Sequence, residues 1–461
     1  MEKGVRKFDV IVIGSGSGMA IADAALSHGK KVAIIEDGPL GGTCLNRGCI
    51  PSKMLIHVAD VMESINSASK FSITSAKARA DFGKIVSKVS RVIDDDSKSI
   101  EAGIREEKDF TLYKETARFV GPRLIDVGRE TITADKIFIV AGTRPSIPKI
   151  SGLEKVPYLT STEALRLKKQ PKSMIIMGGG YIAAELAHFF GSLGTKITIV
   201  EMTDKLLGAE DDEISEKFTE LFSKKYNILL GHKAVGASKK AKKIFLEIQN
   251  IKNSRIKKIS ADSLLVAVGR MPNSDILDVG KSGIAVNEKG YIKVNEFLET
   301  NVAGIWALGD IAGIYLFKHS ANLEANYAAH NAFSSESKTP VDYRAMPHAV
   351  FSSPQIAGVG LTEKQAKDKG LNYVSGKYYY SHTGMGAAMQ EKDGFVKAIV
   401  EKGTGKILGC HIIGPDASTL IHEVIVAMRF EGTVNEIIHS VHIHPALSEV
   451  VSRAFAAIDY N

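Results

Sequence analysis

Cysteine is scarce. Three cysteines in 461 residues cannot lay out the multi-disulfide scaffold of a small secreted domain. Long apolar runs are missing too. The longest, such as Val10–Ile13 and Met174–Met177, have the length of buried strands and fall short of the roughly 18–20 residues that span a bilayer. The start of the chain, Met1 to Lys7, is polar and carries no apolar signal region. These absences predict a cytoplasmic protein with no membrane partner. One-sided charge is also lacking. Lys and Arg number 59 against 52 Asp and Glu, a net +7, which is too small an excess to argue for nucleic acid. The densest basic stretch, Ser238 to Lys258, interleaves its charges with Ile, Leu and Phe and reads as a solvated strand hairpin.

What is present is an ordinary globular composition, 44% hydrophobic and 24% charged. The length suggests two to four domains at about 100–200 residues each. Two strand–glycine turn–helix units stand out, Phe8–Ala25 and Ser173–Leu193. Each opens with a short apolar run, turns on glycines and continues with alanine-rich helical spacing. Each is followed by a second apolar run ending in an acid, Lys31–Glu36 and Lys196–Glu201. Between them, Phe82, Ile85, Val89, Ile93, Ile100 and Ile104 fall at helical spacing and predict a long amphipathic helix. From about Val341 short strands alternate with helices to the end, and no third glycine fingerprint occurs.

In the first unit Gly14 and Gly16 let the backbone turn and approach a pyrophosphate, and the helix start supplies N–H donors. Glu36 suits ribose hydroxyls. The third glycine position holds Met19, a departure at the place that serves helix–strand packing. The alternative is a glycine-rich turn in a plain α/β fold. The second fingerprint, Gly178-Gly179-Gly180-Tyr181-Ile182-Ala183, ends on a permitted Ala. Glu201 follows at the spacing expected of a ribose ligand. A carboxylate beside a 2′-phosphate is unfavourable, no arginine is nearby, and Lys205 is the only cation in reach. The residues therefore favour NAD over NADP.

The segment Gly41-Gly42-Thr43-Cys44-Leu45-Asn46-Arg47-Gly48-Cys49-Ile50-Pro51-Ser52-Lys53 carries the most chemistry. In an ideal helix residues five apart have Cα atoms about 8.7 Å apart, whereas a disulfide needs about 4.4–6.8 Å. Cys44 and Cys49 can bridge only if the segment departs from ideal helix, and Gly48 can absorb that distortion. With Arg47 and Lys53 nearby, reduction should give a thiolate of lowered pKa. The alternatives are a static disulfide or half of a metal site. No second cysteine pair exists for a metal, and no metal is expected. Near the C-terminus, His442-Ile443-His444-Pro445-Ala446-Leu447-Ser448-Glu449 places Pro445 where it can open a helix. That would leave His444 just before the helix and Glu449 in its second turn. A carboxylate on one imidazole nitrogen raises the basicity of the other, so the dyad could move protons in thiol–disulfide exchange. Its alternative is a surface ion pair.

Taken in order, the cysteine segment, both fingerprints and the His444 tail resemble the pyridine-nucleotide disulfide oxidoreductases over essentially the whole chain. Val140-Ala141-Gly142-Thr143-Arg144-Pro145, Val268-Gly269-Arg270-Met271-Pro272-Asn273 and Ala307-Leu308-Gly309-Asp310 add to the match. The resemblance implies an α/β fold with two Rossmann-like dinucleotide-binding domains and a C-terminal α+β dimerisation domain. Its divisions would be FAD-binding 1–150, NAD-binding 151–272, central 273–340 and dimerisation 341–461. It implies FAD at the first fold and NAD at the second, with Thr43, Lys53, Gly142 and Gly269 among the cofactor contacts. It implies that Cys44 meets substrate and that Cys49 lies against the flavin. Lys53 would pair with Glu185, Tyr181 would cover the nicotinamide pocket, and Asp310 would hold the ribityl chain. His444 and Glu449 would serve the active site of the other subunit of a homodimer.

Within the class, Cys44 to Lys53 and Glu201 look most like dihydrolipoamide dehydrogenase. The leading expectation is therefore exchange with a dithiol or disulfide, such as a lipoyl group on a carrier protein. Tyr315-Leu316-Phe317-Lys318-His319-Ser320-Ala321-Asn322, Gly384-Met385-Gly386 and Ala446–Val451 look closer to mycothione reductase. That gives the alternative of a low-molecular-weight disulfide reductase. A second alternative is a non-catalytic flavoprotein subunit, against which the intact cysteine pair argues. Cys410, in Ile407-Leu408-Gly409-Cys410-His411-Ile412-Ile413, reads as inert core.

Overall fold

The computed structural model describes residues 4–74, 78–334 and 337–460. The chain divides into two compact units. One draws on Met1–Met54, Lys84–Ser146 and Gly269–Asp342, the other on Leu55–Gly83, Ile147–Val268 and Tyr343–Asn461.

The first unit is built on a seven-stranded sheet. Val5–Ile13 lies between Val32–Ile35 and Glu130–Ile139, parallel to both. Phe110–Tyr113 extends one side, and Ile305–Ala307 pairs with Glu130–Ile139. The runs Val10–Ile13 and Val32–Ile35 are apolar throughout because both faces of the sheet are covered there. Side chains alternate between two cores. Ile11, Ile13, Ile35, Ile137 and Ile139 enter one, and Val10, Val12, Ile34 and Phe138 enter the other, where the helix Gly18–Ser27 packs. The predicted amphipathic helix runs Phe82–Glu106.

The second unit repeats the parallel arrangement. Ser173–Met177 lies between Lys196–Val200 and Ser263–Val266, with the helix Tyr181–Ser192 after the first strand. The basic stretch forms an antiparallel ribbon of His232–Lys240, Lys243–Asn250 and Ile256–Ala261. Residues after 343 form a five-stranded sheet in the order Pro347–Val350, Ile356–Gly360, Ile407–Ile413, Phe395–Glu401 and Tyr373–Tyr379. The helix Glu449–Ala456 packs on it through Val450, Val451, Ala454 and Phe455, and Cys410 lies in the same core. Among the described residues no helix is long and apolar enough to cross a membrane.

The chain near Pro445 departs from expectation. The helix begins at Glu449, after Ser448, and not at Pro445. The Glu449 carboxylate accepts the N–H of Ala446 at 3.2 Å, so a side chain holds the turn that a helical first turn was expected to supply.

Candidate active site

The first glycine loop explains its own residues. Gly14 has φ +105°, and a Cβ there would lie 2.4 Å from the Val140 carbonyl oxygen. Only glycine fits. The missing third glycine turns out to be harmless. Gly18 is the residue that meets the strand, since a Cβ on it would come 2.7 Å from Val12 Cγ1. Met19 instead packs against the core. The close-packing role lies one residue earlier, at Gly18.

Glu36 follows its strand and faces the loop. Its Oε2 accepts from Ser15 N at 3.0 Å and Ser15 Oγ at 2.7 Å, and its Oε1 accepts from Gly38 N at 3.0 Å. The loop also touches the cysteine segment. Ser15 Oγ accepts from Gly41 N at 3.0 Å, and a Cβ on Gly42 would lie 2.8 Å from Gly16 Cα. Glycine on both sides lets the two backbones meet. The start of the Cys44 helix is thus fixed against the candidate phosphate loop.

The helix Gly42–Arg47 ends at Gly48 (φ −145°, ψ −118°), and a second helix, Cys49–Ser67, begins next to it. A Cβ on Gly48 would lie 2.9 Å from Thr43 O. The break lets the Cys44 and Cys49 side chains hydrogen-bond, and both are half-buried. The expected lowering does not hold for Cys44. Its pKa is pushed well above the ordinary thiol range, first by the hydrogen bond to Cys49, then by burial and by charge on Cys49. The cation that opposes this is Lys318, whereas the sequence pointed to Arg47 and Lys53. Lys53 Nζ lies 3.3 Å from Ser52 Oγ.

Lys318 was visible in the sequence only as part of a longer segment. It opens the helix Lys318–Phe333, and its Nζ donates to Ser17 Oγ at 2.9 Å. Burial lowers its pKa, and the two cysteines act to raise it. Arg270 is a second missed cation. Burial lowers its pKa, and Asp310 and Cys49 act against that. Its Nε donates to Thr143 Oγ1 at 2.7 Å, and Thr143 Oγ1 donates to Asp310 Oδ2 at 2.8 Å. Arg270–Pro272 pairs with Thr143–Pro145, so the stretches around Gly142, Gly269 and Asp310 are one network. At Gly142 and Gly269 a Cβ would meet nothing within 4 Å.

In the second unit Gly178 has φ +103°, and a Cβ there would lie 2.3 Å from Ala267 O. Gly180 caps the helix that Tyr181 begins. Glu201 folds over the loop, with Oε2 2.9 Å from where a Gly179 Cβ would be. Its Oε1 accepts from Thr203 N at 2.9 Å and Thr203 Oγ1 at 3.1 Å. Lys205 is engaged by Asp212. The Tyr181 hydroxyl donates to Glu210, and Glu185, 9% exposed, accepts from Phe351 N at 3.1 Å. His444 Nδ1 lies 3.0 Å from Glu449 Oε1, as the dyad requires, and its side chain is 71% exposed. Bonds from His444, Ala446 and Arg453 draw the Glu449 carboxyl down to about 2. Cys410 is fully buried, and burial raises its pKa.

Two dinucleotide loops and a broken-helix cysteine pair define a nicotinamide- and flavin-linked disulfide enzyme. The residues present fit FAD at the first loop: Gly14 and Gly16 allow close approach, and Glu36 closes the strand beside them. Comparison with known proteins agrees. The pyridine nucleotide-disulphide oxidoreductase profile matches residues 8–332, and the dimerisation domain of the same family matches residues 346–455. The chain belongs to this family, whose members use FAD and a nicotinamide nucleotide. It is 39% identical to mycothione reductase of Mycobacterium tuberculosis, covering 98% of this chain and 99% of that one. It is 34% identical to dihydrolipoyl dehydrogenase of Vibrio cholerae, covering 97% and 95%. Among solved structures it resembles the Cu(II) complex of the HOCl-induced flavoprotein disulfide reductase RclA of Escherichia coli, with TM-score 0.88, 27% identity and coverage of 98% and 99%. The chain is a flavoprotein disulfide oxidoreductase.

Proposed function

We propose that the chain passes two electrons between NAD(H) and a small dithiol or disulfide through Cys44 and Cys49. The observation that carries this reading is the cysteine contact across Gly48, on a helix whose start abuts the first glycine loop. When bound, FAD supplies a carrier that can take electrons from one partner and give them to the other. The chain's own residues set the direction of contact. Membership of the family supports Cys44 as the thiol that exchanges with substrate and Cys49 as the inner thiolate. Lys318 and Arg270 supply the positive charge that the thiolate needs.

In the same reading Gly14, Gly16, Glu36, Thr43, Lys53, Gly142 and Asp310 hold FAD. Gly178, Gly180, Tyr181, Glu201 and Gly269 serve NAD. The division into FAD-binding (1–150), NAD-binding (151–272), central (273–340) and dimerisation (341–461) domains belongs to this proposal. The chain works as a homodimer, with the family's dimerisation domain supporting the assignment. His444 serves the active site of the second copy. Glu449 holds its Nδ1, so Nε2 is the atom that takes the thiol proton during exchange and returns it to the departing sulfur.

For the substrate we place a low-molecular-weight disulfide first. The support is the 39% identity to mycothione reductase against 34% to dihydrolipoyl dehydrogenase, together with the Tyr315–Asn322 segment that brings Lys318 to the cysteines. Dihydrolipoamide, free or on a carrier protein, is the second reading, carried by the Cys44–Lys53 segment. Side-by-side rates with lipoamide, dihydrolipoamide and a panel of low-molecular-weight disulfides test the order. Turnover of the lipoyl pair alone reverses it, and turnover of none of these overturns the proposal.

A further inference from the structure

The second unit contains a buried polar group that nothing above explains. His411, on the strand Ile407–Ile413, is fully buried. Its Nε2 donates to Leu361 O at 2.9 Å. That bond assigns the proton to Nε2 and leaves a lone pair on Nδ1. Among the described residues Nδ1 has no hydrogen-bond partner, and a buried nitrogen in that state calls for an explanation.

The register of the sheet says where the lone pair points. His348, Gly358 and His411 are direct cross-strand neighbours on three adjacent strands. The middle residue has no side chain, so the two imidazoles close over a notch. A Cβ placed on Gly358 would lie 2.7 Å from His348 Nε2 and 2.9 Å from His411 Nδ1. Glu210, 4% exposed, completes the group, with Oε2 at 2.8 Å from His348 Nε2. One donor atom from each of Glu210, His348 and His411 lies within 4.8 Å of the others.

We propose that Glu210, His348 and His411 form a binding site for a divalent transition-metal ion of the zinc type. The donors are Glu210 Oε2, His348 Nε2 and His411 Nδ1, with water completing the coordination. Two imidazoles and a carboxylate are a common donor set for such an ion. Zinc bonds of about 2.0–2.2 Å require the donors to draw closer, and rotation of the His348 and Glu210 side chains supplies that movement. The outer contacts suit the role. His411 gives its other N–H to a backbone carbonyl, and the second Glu210 oxygen accepts from the Tyr181 hydroxyl, as the outer partners of metal ligands do. Binding at His348 Nε2 requires the ring to carry its proton on Nδ1, so that Nε2 and Glu210 Oε2, now 2.8 Å apart, both turn lone pairs to the metal. A plain His348–Glu210 ion pair would leave the His411 lone pair unexplained. The site is independent of the substrate reading above.

The test uses the FAD-loaded chain carrying Cys44→Ser and Cys49→Ser, so that no active-site dithiol competes for metal. After chelator treatment, zinc is titrated by calorimetry. Glu210→Gln and His348→Gln are compared in the same background, with FAD content and Tm as checks on folding. Expected are saturable uptake at one ion per chain, a raised Tm, and affinity at least tenfold weaker in each variant. No zinc uptake in the parent overturns the site. Equal uptake in both folded variants overturns it as well. Should either variant fail to fold, Gly358→Ala fills the notch without changing a ligand, and undiminished uptake in it counts against the site equally.

Discussion

Replacing Glu201 should move the nucleotide preference. Its carboxylate is half-buried, held over the second glycine loop by two bonds from Thr203. An NADP 2′-phosphate would come to rest near it. At about 4 Å and an effective dielectric near 20, one unit charge pair costs about 4 kcal/mol. Partial exposure and salt reduce this to roughly 2 kcal/mol. At 1.4 kcal/mol per factor of ten, that is a preference for NADH of roughly thirtyfold. Lys205 offers little relief, because it is engaged by Asp212. The assay is kcat/KM for NADH and NADPH in the parent and in Glu201→Ala. The parent should prefer NADH by that factor or more, and the variant should lose most of the preference through faster use of NADPH. Equal efficiency in the parent refutes the electrostatic argument. So does a preference that survives intact in Glu201→Ala.

Gly14→Ala should cost the protein its FAD. A left-handed backbone costs a non-glycine residue about 1–3 kcal/mol, and the new Cβ also meets the Val140 carbonyl. The purified variant should carry less flavin and melt at a lower temperature than the parent, as absorbance and calorimetry will show. Parent-like flavin content and Tm would falsify the loop assignment. Mixing Cys44→Ser chains with His444→Ala chains should restore activity that neither homodimer has, since one site of each hybrid then keeps both wild-type groups. Isolated heterodimers without activity would place His444 outside the partner's site.

Much of this was legible in the sequence, and the parts that were not have physical reasons. Short apolar runs, glycine turns and terminal acids located both dinucleotide units, because local backbone demands fix those residues. The need for a departure from ideal helix between the cysteines followed from helix geometry, and the structure puts it at Gly48. Met19 misled because the sequence shows a missing glycine, whereas packing shows that Gly18 meets Val12. Pro445 misled because proline permits a helix start without requiring one. Lys318 and Arg270 went unrecognised because a lysine opening one helix and an arginine in a short strand gain meaning only when folding brings them to cysteines over two hundred positions away. The lowered thiol pKa expected for the pair failed at Cys44 for a similar reason. Its nearest titrating neighbour is the other cysteine, and that contact outweighs the cations.

The central claim is that electrons from the nicotinamide nucleotide reach the Cys44–Cys49 pair. The direct test is alkylation with peptide mapping, before and after anaerobic NADH is added to air-oxidised, FAD-loaded protein. The account predicts that Cys44 and Cys49 are blocked before NADH and alkylated after it. Cys410, fully buried, should stay unlabelled until the chain is unfolded. If Cys44 and Cys49 are alkylated to the same extent with and without NADH, or remain blocked in both, the pair is no redox partner of the nucleotide and the proposed function is wrong.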